Sequence, residues 1–258
     1  MKLENKEKLI QAYENYLSKY ESVELSCSYM PYGWVKMPES MDVDSMAFAE
    51  FIKEYASELA NEINTFRTYI HRLSAWSKIL ATCDDKEKMS ILSEFVEPVA
   101  ICAFNHPYSI RFRFIFSVSH ISHQANKSVE QENWNDDLKS DRNIDFKEME
   151  RKSNKWKCYP EFKSTLSKIN DEHYNESFMN FRHKFNHRFP PLIELGISGL
   201  VTRNKHDNGC ISYGFGHTNP IRLSDAVPIL VDQHNNMKAC FSSFQKLINE
   251  QVSSVFKT

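Results

Sequence analysis

MAFAEFIKEYASELANEINTFRTYIHRLSAWSKIL, residues 46–80, decides the fold. It contains no Gly or Pro. Phe48, Ile52, Tyr55, Leu59, Ile63, Phe66 and Ile70 recur at spacings of three and four. That apolar stripe predicts one long amphipathic helix of about nine turns, with Asp44 or Ser45 as its cap. The rest of the chain agrees. Six Gly and nine Pro in 258 residues leave few tight turns. A sandwich, a barrel or a glycine-dependent dinucleotide fold is therefore disfavoured.

Working outward, residues 2–19 predict a short amphipathic helix, and residues 23–43 an extended loop packed on the body. A helix is expected over 86–104, kinked or broken at Pro98. Asn105-His106-Pro107 reads as a break, with helix resuming over 108–127. Residues 128–146 are polar and read as a linker or short surface helix. A charged turn of helix follows over 147–157. Pro160 suits a first helical turn, and one helix is expected from there to Arg188, stopped by Pro190-Pro191. Residues 197–215 alternate around Asn208-Gly209 and predict a small β-hairpin. Ser224-Asp225 caps a final helix, with Pro228 in its first turn. The expected fold is an all-α, antiparallel bundle of long helices with one hairpin insertion. It forms a single helical domain over 1–258: an N-terminal helix and packed loop (1–43), a helical core (44–188), a Pro-rich loop and hairpin (189–222), and a C-terminal helix (223–258).

The first nine residues, MKLENKEKL, are charged and lack the apolar core of a signal peptide. No apolar run approaches the roughly 20 residues that span a bilayer. The six cysteines form no CxxC pair. We therefore expect a cytoplasmic protein with reduced, mostly buried thiols and no membrane partner. The net charge of −2 hides an asymmetry. Residues 1–150 carry −8, residues 151–205 carry +6, and residues 206–258 are neutral. A localised positive field is what a phosphate backbone needs.

The basic segment contains FRHKFNHRFPP, residues 181–191. On a helix, Arg182 pairs with Asn186 and His183 with His187. The four side chains span an arc of about 140°, opposite Phe181, Phe185 and Phe189. Imidazole transfers protons near neutral pH. Guanidinium holds phosphate bidentately and stabilises developing charge. Metal-free RNA cleavage requires those two roles. Arg182, four intervening residues and His187, near a helix end, resemble the R-x4–6-H motif of the HEPN superfamily. A polar residue directly after the Arg is typical there, and His183 fits.

The resemblance covers the bundle loosely and the motif closely, but not residues 1–40 or the hairpin. It implies a metal-independent endoribonuclease, a toxin or phage-defence effector, with Arg182 and His187 as catalytic residues. His183 and Asn186 would support them, and Lys184, Arg188, Arg203 and Lys205 would bind RNA. It further implies a homodimer that builds a composite cleft, an antitoxin or activating protein as partner, and no cofactor. Some members are silenced by nucleotidylation of a Tyr two residues after the motif His; Phe189 stands there in this chain. The alternative is a non-catalytic module of the same type that binds RNA, nucleotide or a protein partner.

A second match, Arg113 to His120, puts both residues on one helix face with Ser117 and Gln124. Arg111, His123 and Lys127 lie close by. A polar seam of this kind usually satisfies buried groups. His183 with His187, and His120 with His123, have metal-pair spacing, but no carboxylate or Cys stands at ligand distance, so no metal is expected. Tyr213-Gly214-Phe215-Gly216-His217 opens no phosphate-cradling helix and reads as a turn.

Overall fold

The computed structural model describes residues 3–256. The chain is mostly helical, at 67%, with one two-stranded antiparallel sheet. The helices are α1 (Leu3–Ser22), α2 (Val43–Leu80), α3 (Asp85–Ile91), α4 (Glu97–Glu130), α5 (Phe146–Ser153), α6 (Tyr159–Leu166), α7 (Glu172–Ser177), α8 (Phe181–His187) and α9 (Leu223–Val255). The strands are β1 (Val201–Lys205) and β2 (Ile211–Phe215). The described helices include none long and apolar enough to cross a membrane.

The 46–80 stripe is buried except at Tyr55, which is half-buried: Ile52, Ile63, Phe66 and Ile70 have no exposed surface. The helix begins three residues earlier than predicted, at Val43. Its cap is Asp42, whose carboxylate accepts from the Ser45 amide at 2.7 Å, not Asp44 or Ser45.

The break predicted at 105–107 does not occur. Pro107 lies inside α4. The Phe104 carbonyl, three residues before it, accepts from the buried Tyr174 hydroxyl at 2.9 Å. Tertiary packing thus supplies a backbone partner where a proline disturbs the helical ladder. The break expected at Pro98 is instead a π-helical turn over Leu92–Val96, directly before α4.

The single helix expected from Pro160 to Arg188 is three short ones. Asn170, Met179 and Asn180 have φ of 52°, 51° and 55°, and these left-handed residues lie in the two gaps between the pieces. Asparagine tolerates that conformation, and the polar run Asn170-Asp171-Glu172 lacks the apolar spacing to continue. Residues 128–146 hold two 3₁₀ turns (Gln131–Asn133 and Asp141–Asn143) and Asp145, which caps α5. At α9, Ser224 and Asp225 sit in the first turn rather than capping it. Pro228 lies beyond that turn.

The chain divides into two compact units. One comprises Met1–Ser26, Thr68–Asn105 and Glu172–Val231; the other comprises Cys27–Arg67, His106–Asp171 and Asp232–Thr258.

In the first unit, Tyr16 stacks on Trp76 at 4.5 Å, and Trp76 on Phe95 at 5.2 Å. The hairpin rises from a backbone ladder. Glu194 N bonds Ile221 O, Ile221 N bonds Leu192 O, and Ser198 exchanges two bonds with Thr218. Glu194 is the brace. Its carboxylate accepts from the Leu223 amide at 2.6 Å and contacts Arg222 at 3.3 Å. It holds this post at a φ of 61°, a strained value for a non-glycine residue. Glu194→Ala strands a buried amide at the start of α9. We expect it to cost about 1–3 kcal/mol, and Glu194→Gln, which keeps the acceptor, to cost less. Urea unfolding of both proteins measures the difference.

In the second unit, Phe244 is fully buried among Trp34, Phe114, Phe162 and Phe241. Beside this core lies a polar network. Asp137 pairs with Lys152 and Arg151, and Arg151 with Glu148. Those cations hold the Asp137 carboxyl well below its usual range. His234 is fully buried, and neither ring nitrogen has a hydrogen-bond partner among the described residues.

Burial, aided by the charges of Arg67 and Lys238, lowers the His234 pKa to about 4 from 6.5. A histidine depressed in the native state binds its proton more readily when unfolded. Stability from this group is therefore intact above pH 6.5 and falls as pH drops toward 4, by up to about 3 kcal/mol. His106, His120 and His123 are also lowered, each mainly by burial, and act in the same direction. We expect His234→Leu to flatten the acid limb of a stability–pH profile. An unchanged acid limb would show that His234 is already protonated or solvated in the native protein.

All six cysteines are free. Cys27 and Cys240 are buried, but Cys102 and Cys210 are exposed, so burial of the thiols is less general than expected.

Candidate functional site

The motif FRHKFNHR forms α8, and its placement begins with two buried rings. Phe178 and Phe181 pack against Phe104 at 4.7 and 5.1 Å, all within the first unit. Between them, Met179 and Asn180 take left-handed conformations, and the Asn180 amide bonds Asn175 O at 2.6 Å. This reversal restarts the helix at Phe181. Lys184 N then bonds Asn180 O at 3.0 Å, and Arg188 N bonds Lys184 O at 2.7 Å. Arg188 leaves the helix in an extended conformation, with φ −150° and ψ −150°. Pro190 prevents the helix from resuming, because it disfavours the helical region at Phe189, the residue before it, and lacks the amide to continue.

On this one-sided anchor, Phe181 faces the core, and Arg182 and Lys184 are half-buried. His183, Asn186, His187 and Arg188 are exposed. The His183 and His187 rings lie 5.2 Å apart, as one helical turn predicts. The expected apolar face does not form. Phe185 is 42% exposed and Phe189 92%. Phe185 lies one turn beyond the buried Phe181, its ring stacked on that of Phe181 at 5.9 Å but its outer side open, and Phe189 lies past the end of α8.

Arg182 and His187 are five residues apart, so they project about 140° apart around the helix axis. One copy of α8 therefore presents a cation and a proton carrier in diverging directions. A hollow of about 220 Å³ in the same unit, lined by residues that include Lys8, Leu9, Cys83 and Ile91, holds none of the motif residues. Arg203 and Lys205 are exposed on β1.

The second match lies in the second unit. Arg113 pairs with Glu62, whose other carboxylate oxygen is 3.3 Å from His106 Nε2. His120 is lodged against Phe51, Tyr55 and Phe116 at 5.4, 6.0 and 4.5 Å, with Asp141 3.3 Å away. His123 pairs with Asp136 at 2.8 Å, and Trp134 donates to the His123 carbonyl at 3.0 Å. Arg111 reaches the carbonyls of Ile169 and Asn170 at 3.4 Å. Each of these side chains is packed or paired within its own unit, although His120 Nε2 and His123 Nδ1 are buried without a hydrogen-bond partner among the described residues. Burial keeps the His120 and His123 imidazoles below their usual pKa, the opposite of what stabilises an imidazolium.

Tyr213 and Phe215 are in strand β2, where the hairpin expected over 197–215 puts them, and are exposed; the turn read over Tyr213–His217 does not include them. The signal was present in the alternation of ISYGF, which pairs with VTRNK once the turn is placed at 206–210. Among the described residues, no group of three or more His, Cys, Asp or Glu side chains is placed to hold a metal ion. Compared with protein-family models, with curated proteins and with solved structures, the chain has no match.

Proposed function

We propose that this chain is a metal-independent endoribonuclease of the HEPN type, acting in the cytoplasm as a toxin or phage-defence effector. The observation that carries the reading is α8 itself. It displays an exposed His187, with His183 one turn before it and Arg182 and Asn186 on the same short helix, at an abrupt helix end in the basic segment.

The chemistry follows from the residue types. His187 takes the proton from a ribose 2′-hydroxyl, and the resulting oxygen attacks the adjacent phosphorus. Arg182 stabilises the charge that builds on the phosphorane. The 5′-oxygen leaves and takes a proton from an imidazolium. The products are a 2′,3′-cyclic phosphate and a 5′-hydroxyl. His183 and Asn186 orient the phosphate, and Lys184, Arg188, Arg203 and Lys205 hold the backbone on either side.

The divergence of Arg182 and His187 around α8 favours a homodimer in which the Arg of one copy works with the His of the other. The long helices would pack as an antiparallel bundle, and an antitoxin or activating protein would govern the cleft. The test is cleavage of single-stranded RNA in chelator, by wild type and by the Arg182→Ala and His187→Ala variants. A second reading, a non-catalytic RNA-binding module, is favoured by the exposed cationic hairpin. It predicts that His187→Gln leaves the cellular effect unchanged.

A further inference from the structure

The hairpin sorts its side chains by face. Val201 pairs with Phe215, Arg203 with Tyr213, and Lys205 with Ile211. Directly opposed residues lie on the same side of a sheet. One face therefore carries Val201, Arg203, Lys205, Ile211, Tyr213 and Phe215. The other carries only Thr202, Asn204, Ser212 and Gly214. Both faces are open to solvent. Phe215 is 85% exposed and Tyr213 61%. None of the ten strand residues is acidic.

The two aromatic rings of this face bury little surface within their own unit. Burying those rings is what makes aromatics favourable, and here they are not buried. Two rings on one strand, about 6.7 Å apart, with two cations on the paired strand, match a single-stranded nucleic acid. Its bases stack on aromatic rings and its phosphates attract cations. The core of a protein interface is depleted in Lys, whereas this face carries Lys205 beside Arg203, with no acidic residue in either strand.

We propose that this face is a stacking platform for single-stranded RNA: Tyr213 and Phe215 each carry a base, and Arg203 and Lys205 hold the intervening phosphates. The assignment deepens the proposed function and rests on it for the choice of RNA, but it needs no catalysis.

The test uses full-length protein and a fluorescein-labelled 2′-O-methyl oligouridylate of about 12 nucleotides. This probe lacks the attacking hydroxyl, so it stays intact. We expect binding by fluorescence anisotropy to weaken at least about tenfold in Tyr213→Ala/Phe215→Ala. Phe215→Tyr should bind like wild type. In Arg203→Ala/Lys205→Ala, the slope of log affinity against log salt should fall by about 1.4. The replaced side chains are exposed, and circular dichroism matching wild type shows that the fold is kept.

The proposal is overturned if wild type does not bind the oligomer. Equal binding of an abasic oligomer, or of the aromatic double variant, also overturns it. So does loss of self-association in that variant with oligomer binding unchanged, which would make the face a protein interface. Hairpin-dependent binding without cleavage of ordinary RNA sinks the nuclease reading and leaves the platform standing. Cleavage that persists at the wild-type rate and affinity in the hairpin variants does the reverse.

Discussion

If the proposed nuclease reading holds, substitution of His187 by Ala should lower RNA cleavage by about 10²–10⁴-fold, and Arg182→Ala by a similar factor, with little change in folding for His187→Ala. The magnitude comes from the roles. A positioned general acid or base contributes about 10²–10⁴-fold. One group that stabilises charge in the transition state contributes about 10²–10³-fold. The stability expectation comes from exposure. His187 sits at the open end of a seven-residue helix, and surface substitutions of that kind usually stay within about 0.5 kcal/mol.

Arg182→Lys is the sharper variant, since it keeps the charge and loses the planar fork that grips a phosphate bidentately. It should recover only part of the activity. If two copies share the cleft, mixing Arg182→Ala with His187→Ala protein should restore cleavage in the heterodimer, because one of its two mixed sites retains both groups. Arg113→Ala and His120→Ala are the internal comparison. Their partners, Glu62 and the aromatic cluster around His120, are structural. They should lower thermal stability and leave the cleavage of folded protein intact. Wild-type protein that leaves RNA whole in chelator, or both α8 variants cutting at its rate, refutes the assignment.

The parts of this fold that were legible in the sequence are those with uninterrupted periodicity. Helix α2 shows its buried stripe in every turn from Phe48 to Ile70, and the hairpin announces itself through Asn208-Gly209 between alternating runs. The errors cluster where a local rule met tertiary structure. Pro107 reads as a break because the rule is local, but Tyr174, far along the chain, supplies a partner for the Phe104 carbonyl. The 160–188 segment reads as one helix because its apolar residues are roughly in phase. The left-handed turns at Asn170 and at Met179-Asn180 are events of one or two residues that periodicity does not register. The motif survives this error, since Arg182 to His187 fits within α8. What changes is its context: a short, one-sided helix with exposed Phe185 and Phe189 rather than the end of a long amphipathic one. Strand register, the property that gathers Tyr213 and Phe215 with Arg203 and Lys205, emerges only when both strands are paired.

Phe244→Ala is expected to cost about 3–5 kcal/mol, the largest stability loss among the substitutions considered. Phe244 has no exposed surface. Its ring meets Phe114 at 5.9 Å and 68°, and Trp34 at 6.1 Å and 78°, both edge-on. Such pairs add about 0.5–1.5 kcal/mol beyond the burial itself. Phe162 and Phe241 close the cluster at 6.5 and 6.0 Å. Removing the ring leaves four aromatic neighbours that are too rigid to collapse into the space. The cavity cost should therefore add to the lost transfer energy rather than be relieved.

For a chain of this length, each kcal/mol moves the melting temperature by about 2–4 °C, so a drop of about 10 °C is expected. Phe244→Leu, which refills part of the volume, should recover most of it. Phe215→Ala removes the same ring from an 85% exposed position and should leave the melting temperature unchanged while weakening RNA binding. The two phenylalanines thus separate packing from recognition within one residue type. A Phe215→Ala protein that melts early would mean that the hairpin face is covered in the folded protein. A Phe244→Ala protein that melts with wild type would mean that the α9 core is not packed as described.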